Sequence, residues 1–464
     1  MMPNSSSKQL NSARSGRIPG PSMQIRAVVS ATLGNTLEYF DFAIYGALAA
    51  TLFPRLFFHQ LGSTAGLLAS FATFGVGFIA RPIGAVVLGH LGDRYGRKPV
   101  LFATLLMMGG SSVLIGLLPT NQGILIAVLL VVLRCLQGFS LGGESSGSQL
   151  LTMEHCERGR RGFFGSLIII GSPISQVLAN LVIVVLSVML TPAQFESWGW
   201  RIPFLGSVFI VGIAYFIRRR LEETPAFAAT NEEAAPQPGA TRAKGLRVLW
   251  THPRQVVLLL LAWSGTTLSF YLIAVYGLSY LTTNVGMSSQ DAFVILMIAN
   301  GVSVLTAVIG GLTCDRIGRK PVWYAGLAGC FIGVVLFFTV ASTSVVVTGL
   351  IVTLVLASIQ FLSGAQPALF AEQFPTDVRY SGTALAYTGA NLVFSAPAPF
   401  VAAGLTALGG PALVAAFTSA IIIVSAVAVS KLREGQELDL AEFTLHDATE
   451  RNGLAQVQAD KECE

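Results

Sequence analysis

The sequence predicts an all-α polytopic membrane protein: twelve transmembrane helices in two six-helix pseudo-repeats, with both termini on the cytoplasmic side. Three observations predict it. The apolar residues fall in long blocks, the basic residues cluster between alternate blocks, and one loop motif occurs twice, half a chain apart.

The first observation is composition. Of 464 residues, 53% are hydrophobic and only 11% are charged, against about 25% charged in a soluble domain. The 48 glycines suit helices that pack closely or bend. This composition excludes an ordinary soluble enzyme. Twelve blocks approach the ~20 apolar residues that a span needs. They run approximately over 27–52, 65–91, 100–118, 124–152, 162–190, 200–217, 256–281, 292–312, 322–340, 344–370, 381–405 and 411–429, the sixth being short. Residues 1–26 are polar and free of acids, and the first apolar run reads as a retained helix, not a cleaved signal. Cys135, Cys156, Cys314, Cys330 and Cys463 are scattered. No pair has metal or redox spacing, so no metal and no cofactor is expected.

The second observation is charge placement. With the N-terminus inside, cytoplasmic segments hold 25 of the 29 Lys and Arg. Only Arg55 and Arg201 fall outside, and Arg81 and Arg134 lie within helices. This is the positive-inside pattern, and it assigns the net charge of +5 to topology, with no nucleic-acid partner expected.

The third observation is the repeat. GHLGDRYGRKPV starts at Gly89 and GLTCDRIGRKPV at Gly311, an offset of 222 residues. Each follows the second helix of its half. The Pro-, Ala- and Glu-containing stretch at 218–254 reads as a linker. The expected organisation is a cytoplasmic N-terminal segment (1–26), a first bundle (27–217), the linker (218–254), a second bundle (255–430) and a tail (431–464), mostly disordered.

The doubled G-x3-D-R-x-G-R-K loop matches the signature of the major facilitator superfamily. Further segments carry a narrower likeness: NTLEYFDFAIY (Asn35–Tyr45), RPIG (Arg81–Gly84), RCLQGFSLGGE (Arg134–Glu144), WGWRIPF (Trp198–Phe204), LEETPAF (Leu221–Phe227) and FPTDVRYSG (Phe374–Gly382). Together they resemble the bacterial metabolite:proton symporter family, which includes proline/betaine, shikimate, α-ketoglutarate and citrate permeases. The likeness spans roughly 25–430, and its second half is more similar to the shikimate branch. It implies a monomeric secondary active transporter in the bacterial inner membrane, taking up a small organic acid or zwitterion with a proton.

Gating is read from the loops. Asp93 with Arg94 and Arg97, and Asp315 with Arg316 and Arg319, sit at helix ends. Glu154 and Glu372 end the fourth helix of each half and can face those loops. Together they suit a charge clasp on the inner side. The plainer alternative is that the basic residues only set topology.

Charges inside a membrane are costly and usually face a cavity. Glu38, Asp41, Arg81, Arg134 and Glu144 stand out, all in the first half. At ~1.5 Å per residue, Asp41 and Arg134 lie ~17 and ~15 Å from the outer ends of their helices, and Glu38 and Arg81 ~21 and ~24 Å. The levels suggest two pairs, Asp41 with Arg134 and Glu38 with Arg81. A carboxylate that gains and loses an Arg partner loads and releases a proton. Arg134 also matches the Arg of the superfamily's fourth-helix R-x-x-Q-G motif, which the resemblance links to proton coupling. The alternative is a permanent buried ion pair that fixes packing. Glu144 lies near the inner end of its helix, where gating fits as well as coupling. For substrate, Arg81 or Arg134 suits a carboxylate. Tyr45, Tyr271, Asn300, Gln366, Tyr387 and Asn391 offer neutral polar lining, with Tyr276 and Gln360 beside them. Any one of these is more often a helix-packing hydrogen bonder than a ligand contact, but as a set they suit a cavity lining. Trp198 and Trp200 read as interfacial anchors. A transporter for export, and a non-transporting membrane sensor, are the rival functions.

Overall fold

The apolar blocks fold as helices in the computed structural model, which describes residues 21–95, 97–120, 123–142, 153, 156, 159–209, 212, 251–375 and 378–436. In chain order the helices are α1 (Pro21–Thr51), α2 (Ser63–Tyr95), α3 (Arg97–Leu117), α4 (Ile124–Leu141), α5 (Arg161–Met189) and α6 (202–209). There follow α7 (Pro253–Thr283), α8 (Ser289–Ile317), α9 (Arg319–Val340), α10 (Val345–Ala371), α11 (Arg379–Gly409) and α12 (Pro411–Lys431). Nine helices among the described residues are long and apolar enough to cross a membrane; α1, α3 and α6 are not among them. The expected linker, 218–254, falls outside the described residues but for its last four.

Local chemistry sets the boundaries. Ser288 caps α8, its Oγ accepting from the Asp291 amide at 3.0 Å. Gly318, at φ 97°, ends α8 and lets α9 start on the next residue. Gly410, at φ 77°, makes the same reversal between α11 and α12, with Pro411 at the first helical position.

The repeat seen in the loops recurs in the packing. In the first half α2 crosses α4, and in the second α8 crosses α10. Both crossings run on glycine. A methyl on Gly138 would overlap the Gly77 carbonyl, and one on Gly84 the Phe139 carbonyl. In the second half Gly310 lies against the Phe361 carbonyl and Gly364 against that of Ala307. Small residues let the backbones meet, which is how helices gain packing energy without water to drive them together.

Among the described residues the halves join chiefly where α5 meets α8 and α10, α1 meets α7, and α2 meets α11. The end carrying Arg161, Arg316, Arg319 and Arg379 is called the basic end, and the other the far end. Two sequence expectations change here. Trp200 is buried among Phe53, Phe57 and Phe204 and is not an interfacial anchor, while Trp198 is exposed. Beside it, Arg201 donates to the Gly116 and Leu118 carbonyls, whose helix has ended and left them without partners. The expected tail also begins later than 431. Glu434 accepts from the Arg319 and Lys320 amides at 2.8 and 3.0 Å, and the Gln436 side chain donates to the Asp315 carbonyl at 2.6 Å. Residues 432–436 therefore strap the start of α9, as an acid at a helix N-terminus should.

Candidate transport site

At the centre of the first half, two arginines share an aromatic bed. The Arg81 guanidinium lies 4.3 Å from the Phe42 ring centroid and 4.8 Å from that of Phe78. Arg134 lies 3.9 Å from Phe42, 4.2 Å from Tyr45 and 5.4 Å from Phe74. The π faces partly replace the hydration these cations lose, an effect worth about 2 kcal/mol each when desolvated. Arg134 is fully buried, yet among the described residues its Nε and Nη2 have no hydrogen-bond partner. Such donors are costly to leave empty.

Asp41 lies beside this bed and is also buried, at 3% exposure. The expected Asp41–Arg134 pair is not a direct ion pair among the described residues. A relay joins them. Arg134 Nη1 donates to Gln137 Oε1 at 3.0 Å, Gln137 Nε2 to Ser112 Oγ at 2.6 Å, and Ser112 Oγ to Asp41 Oδ2 at 2.5 Å. Ser207 on α6 donates to the other carboxylate oxygen, Oδ1, at 2.9 Å. Arg134 and Asp41 are thus linked through two neutral side chains.

The second half contributes aromatic and neutral groups. Tyr271 packs on Phe74 and Phe78 with centroids 5.8 and 5.2 Å away. It also lies close enough to Arg134 to interact with its charge. Tyr387 and Tyr39 share a hydrogen bond between their phenols at 2.8 Å, joining α11 to α1 across the halves. Asn391 accepts from Thr267 and Ser395 at 2.8 and 2.9 Å and so holds α7 to α11. Both helices contain a π turn nearby, Leu272–Tyr276 in α7 and Asn391–Ser395 in α11. Such turns are frequent at functional positions.

Of the residues expected at the site, the structure gathers Arg81, Arg134, Tyr45 and Tyr271 around one cluster, with Asp41 linked to it. Tyr45 donates to Thr73 at 2.7 Å. Asn300 and Gln366 are buried in α8 and α10, and Asn300 bonds within its own helix, to the Leu296 carbonyl. The side chains of Glu38, Asp93, Arg94 and Arg97, and the whole of Glu144 and Glu154, lie outside the described residues. Sequence reasoning missed Phe42, Phe74, Phe78, Ser112 and Ser207. Gln137 carried a signal, as the Q of R-x-x-Q-G.

At the basic end, Asp315 crosses between the halves. Its carboxylate accepts from the Gly162 and Phe163 amides at 2.8 and 2.9 Å, at the N-terminus of α5. Glu372 is fully buried and takes a fork from Arg319, at 2.8 and 3.1 Å, with Arg161 of the first half at 3.5 Å. Burial pushes the Glu372 carboxyl up from its ordinary range, and Arg319 and Arg161 oppose that shift. Arg316 is exposed and stands apart from this cluster. At the far end, Val275 packs on Gly46, and Phe71 meets Tyr276 edge-on at 6.4 Å. Between the two ends, Asp41, Arg81 and Arg134 are buried.

The chain can be set beside known proteins. The Major Facilitator Superfamily model matches residues 31–397. The shikimate transporter of Escherichia coli (strain K12) is 33% identical over 417 residues, covering 89% of this chain and 95% of that one. The proline/betaine transporter of the same strain is 34% identical over 382 residues, covering 79% and 75%. A crystal structure of a D-xylose–proton symporter superposes with a TM-score of 0.69 at 19% identity, covering 89% and 98%, and shares the fold. The chain belongs to the major facilitator superfamily, in its metabolite:proton symporter family, and is a secondary active transporter and not an enzyme.

Proposed function

We propose that the protein takes up a small organic acid or carboxylate-bearing zwitterion with a proton, across the bacterial cytoplasmic membrane, with both termini and the basic end facing the cytoplasm. The observation that carries this is Arg134: a buried cation with two nitrogens unpartnered among the described residues, joined through Gln137 and Ser112 to a buried carboxylate. The substrates named in the relatives support the class, since shikimate, proline and betaine all bear a carboxylate.

The electrostatics give the coupling its sign. Of the described groups, Arg81 and Arg134 add two positive charges and ionised Asp41 one negative. A proton on Asp41 makes the centre more positive by one, which strengthens its hold on an anion. By reciprocity the bound anion strengthens the hold on the proton. Proton and carboxylate therefore enter together. Tyr271 and Tyr387, the latter packed on Trp263 of α7 with ring centroids 6.0 Å apart, form the opposing wall and set selectivity by shape.

The test is uptake into proteoliposomes with an imposed proton gradient, across a panel of organic acids and betaines. Accumulation of one of them is expected. Extrusion of drugs with no acid or zwitterion accumulated would replace this reading by an exporter. In Asp41→Asn, gradient-driven accumulation should be lost while counterflow exchange survives. Normal accumulation in that variant removes Asp41 as the coupling acid.

A further inference from the structure

The two oxygens of Asp41 are not equivalent. Arginine carries donors only, so the Arg134 contact fixes the Gln137 amide with Oε1 toward the cation. Gln137 Nε2 must then donate to Ser112, and the single Ser112 proton is left to point at Asp41 Oδ2. Every bond of this relay runs toward the carboxylate, and bonds so aligned polarise one another. Oδ2 is therefore locked as an acceptor. A proton on the lone pair that faces Ser112 would meet the Ser112 proton head-on. Oδ1 faces only Ser207, a buried hydroxyl on α6 that no second hydrogen bond fixes among the described residues.

We propose that the transported proton rides on Oδ1 of Asp41, and that Ser207 is the positioning residue that receives it by turning its hydroxyl from donor to acceptor. The proposal rests on Asp41 being the coupling carboxylate. One O–H bond forms at Oδ1, and the proton comes from a hydrated proton that is left as water. Ser207 keeps its own proton and rotates about its Cβ–Oγ bond. Asp41 goes from charge −1 to neutral, and Ser112 and Gln137 do not move. The other charged or titratable groups around this centre are Arg134 on α4, Arg81 on α2, Tyr45 on α1 and Tyr271 on α7. Glu38 lies one turn away on α1.

The ionised form loses more than the neutral form when Ser207 is removed, because a hydrogen bond to a charge is the stronger. In Ser207→Ala the pH midpoint of gradient-driven uptake should therefore move up by about one unit, and Ser207→Thr should restore it. An unmoved midpoint in Ser207→Ala overturns the proposal. A second readout assigns the oxygen. The infrared carbonyl band of protonated Asp41, identified by its loss in Asp41→Asn, should move up in Ser112→Ala, because Oδ2 is then the carbonyl and loses its donor. It should move less in Ser207→Ala. A larger move in Ser207→Ala would put the proton on Oδ2 and reject the assignment. The spectrum needs folded protein but no turnover, so it decides the matter even in a poorly transporting variant. If Asp41→Asn still accumulates substrate, the coupling reading fails. If Asp41→Asn uncouples and the Ser207 and Ser112 variants behave like wild type, only this inference fails.

Discussion

The two ends of the seam between the halves are closed by different physics. At the basic end, Asp315 holds two backbone amides of α5 and Glu372 gathers two arginines. At the far end the contacts include Gly46 on Val275 and Phe71 on Tyr276. A polar clasp is directional, and water can replace its bonds once it opens. An apolar seam is held by area and has no such substitute. The first suits a gate with two discrete positions; the second suits one whose cost rises gradually with exposed surface.

The comparison can be broken most forcefully at Glu372. Glu372→Gln removes the carboxylate that takes the fork from buried Arg319 and lies 3.5 Å from Arg161, leaving Arg319 with Asp315 at 3.5 Å, a change that costs about 3 kcal/mol, the low end for breaking a buried pair. Thermal unfolding in detergent should show it as a large loss. Asp315→Ala removes two charge-assisted bonds without orphaning a buried cation, and about 2 kcal/mol should go, close to 30-fold in the closed population. Cys314 is buried at this seam, against Gly162. Maleimide labelling of Cys314, with the other cysteines replaced, should speed up by that factor. At the far end Val275→Ala removes about 1.5 kcal/mol of buried apolar contact. It should leave Cys314 labelling unchanged or slower, since the far end is then the easier one to open. Faster labelling of Cys314 in Val275→Ala would mean that the ends are not alternatives. The smallest effect is expected for Gly46→Ala, whose methyl would lie 3.0 Å from Val275 Cγ2. Below about 1 kcal/mol is anticipated, and its sign tells whether the far seam has slack.

Much of this architecture was legible in one dimension. Block length gave the helices, and the Gly89 and Gly311 loops gave the repeat that the α2–α4 and α8–α10 crossings now carry. Arg81, Arg134 and Asp41 could be found because a charge in an apolar block is conspicuous. Ser112 and Ser207 could not. A serine in such a block is ordinarily a packing residue, and its role here comes from α1, α3 and α6 meeting at one depth. Counting depth along each helix brought Asp41 and Arg134 to one level, but depth cannot distinguish a touching pair from a relayed one. The Arg161–Glu372 contact was hidden for a related reason. The repeat invites pairing within each half, and this contact joins the halves.

The π turns in α7 and α11 have a consequence for how the wall opposite the arginines can move. Each holds one residue more than an α turn needs. Shifting that surplus along the axis by one position rotates the side chain it passes by about 100°. The helix ends need not shift, nor its anchors to neighbours be released. Tyr271 enters the α7 turn and Tyr276 closes it. The two tyrosines therefore stand at the limits of a short travelling wave, and aromatic faces could be exchanged at the substrate wall while the scaffold around them stays still.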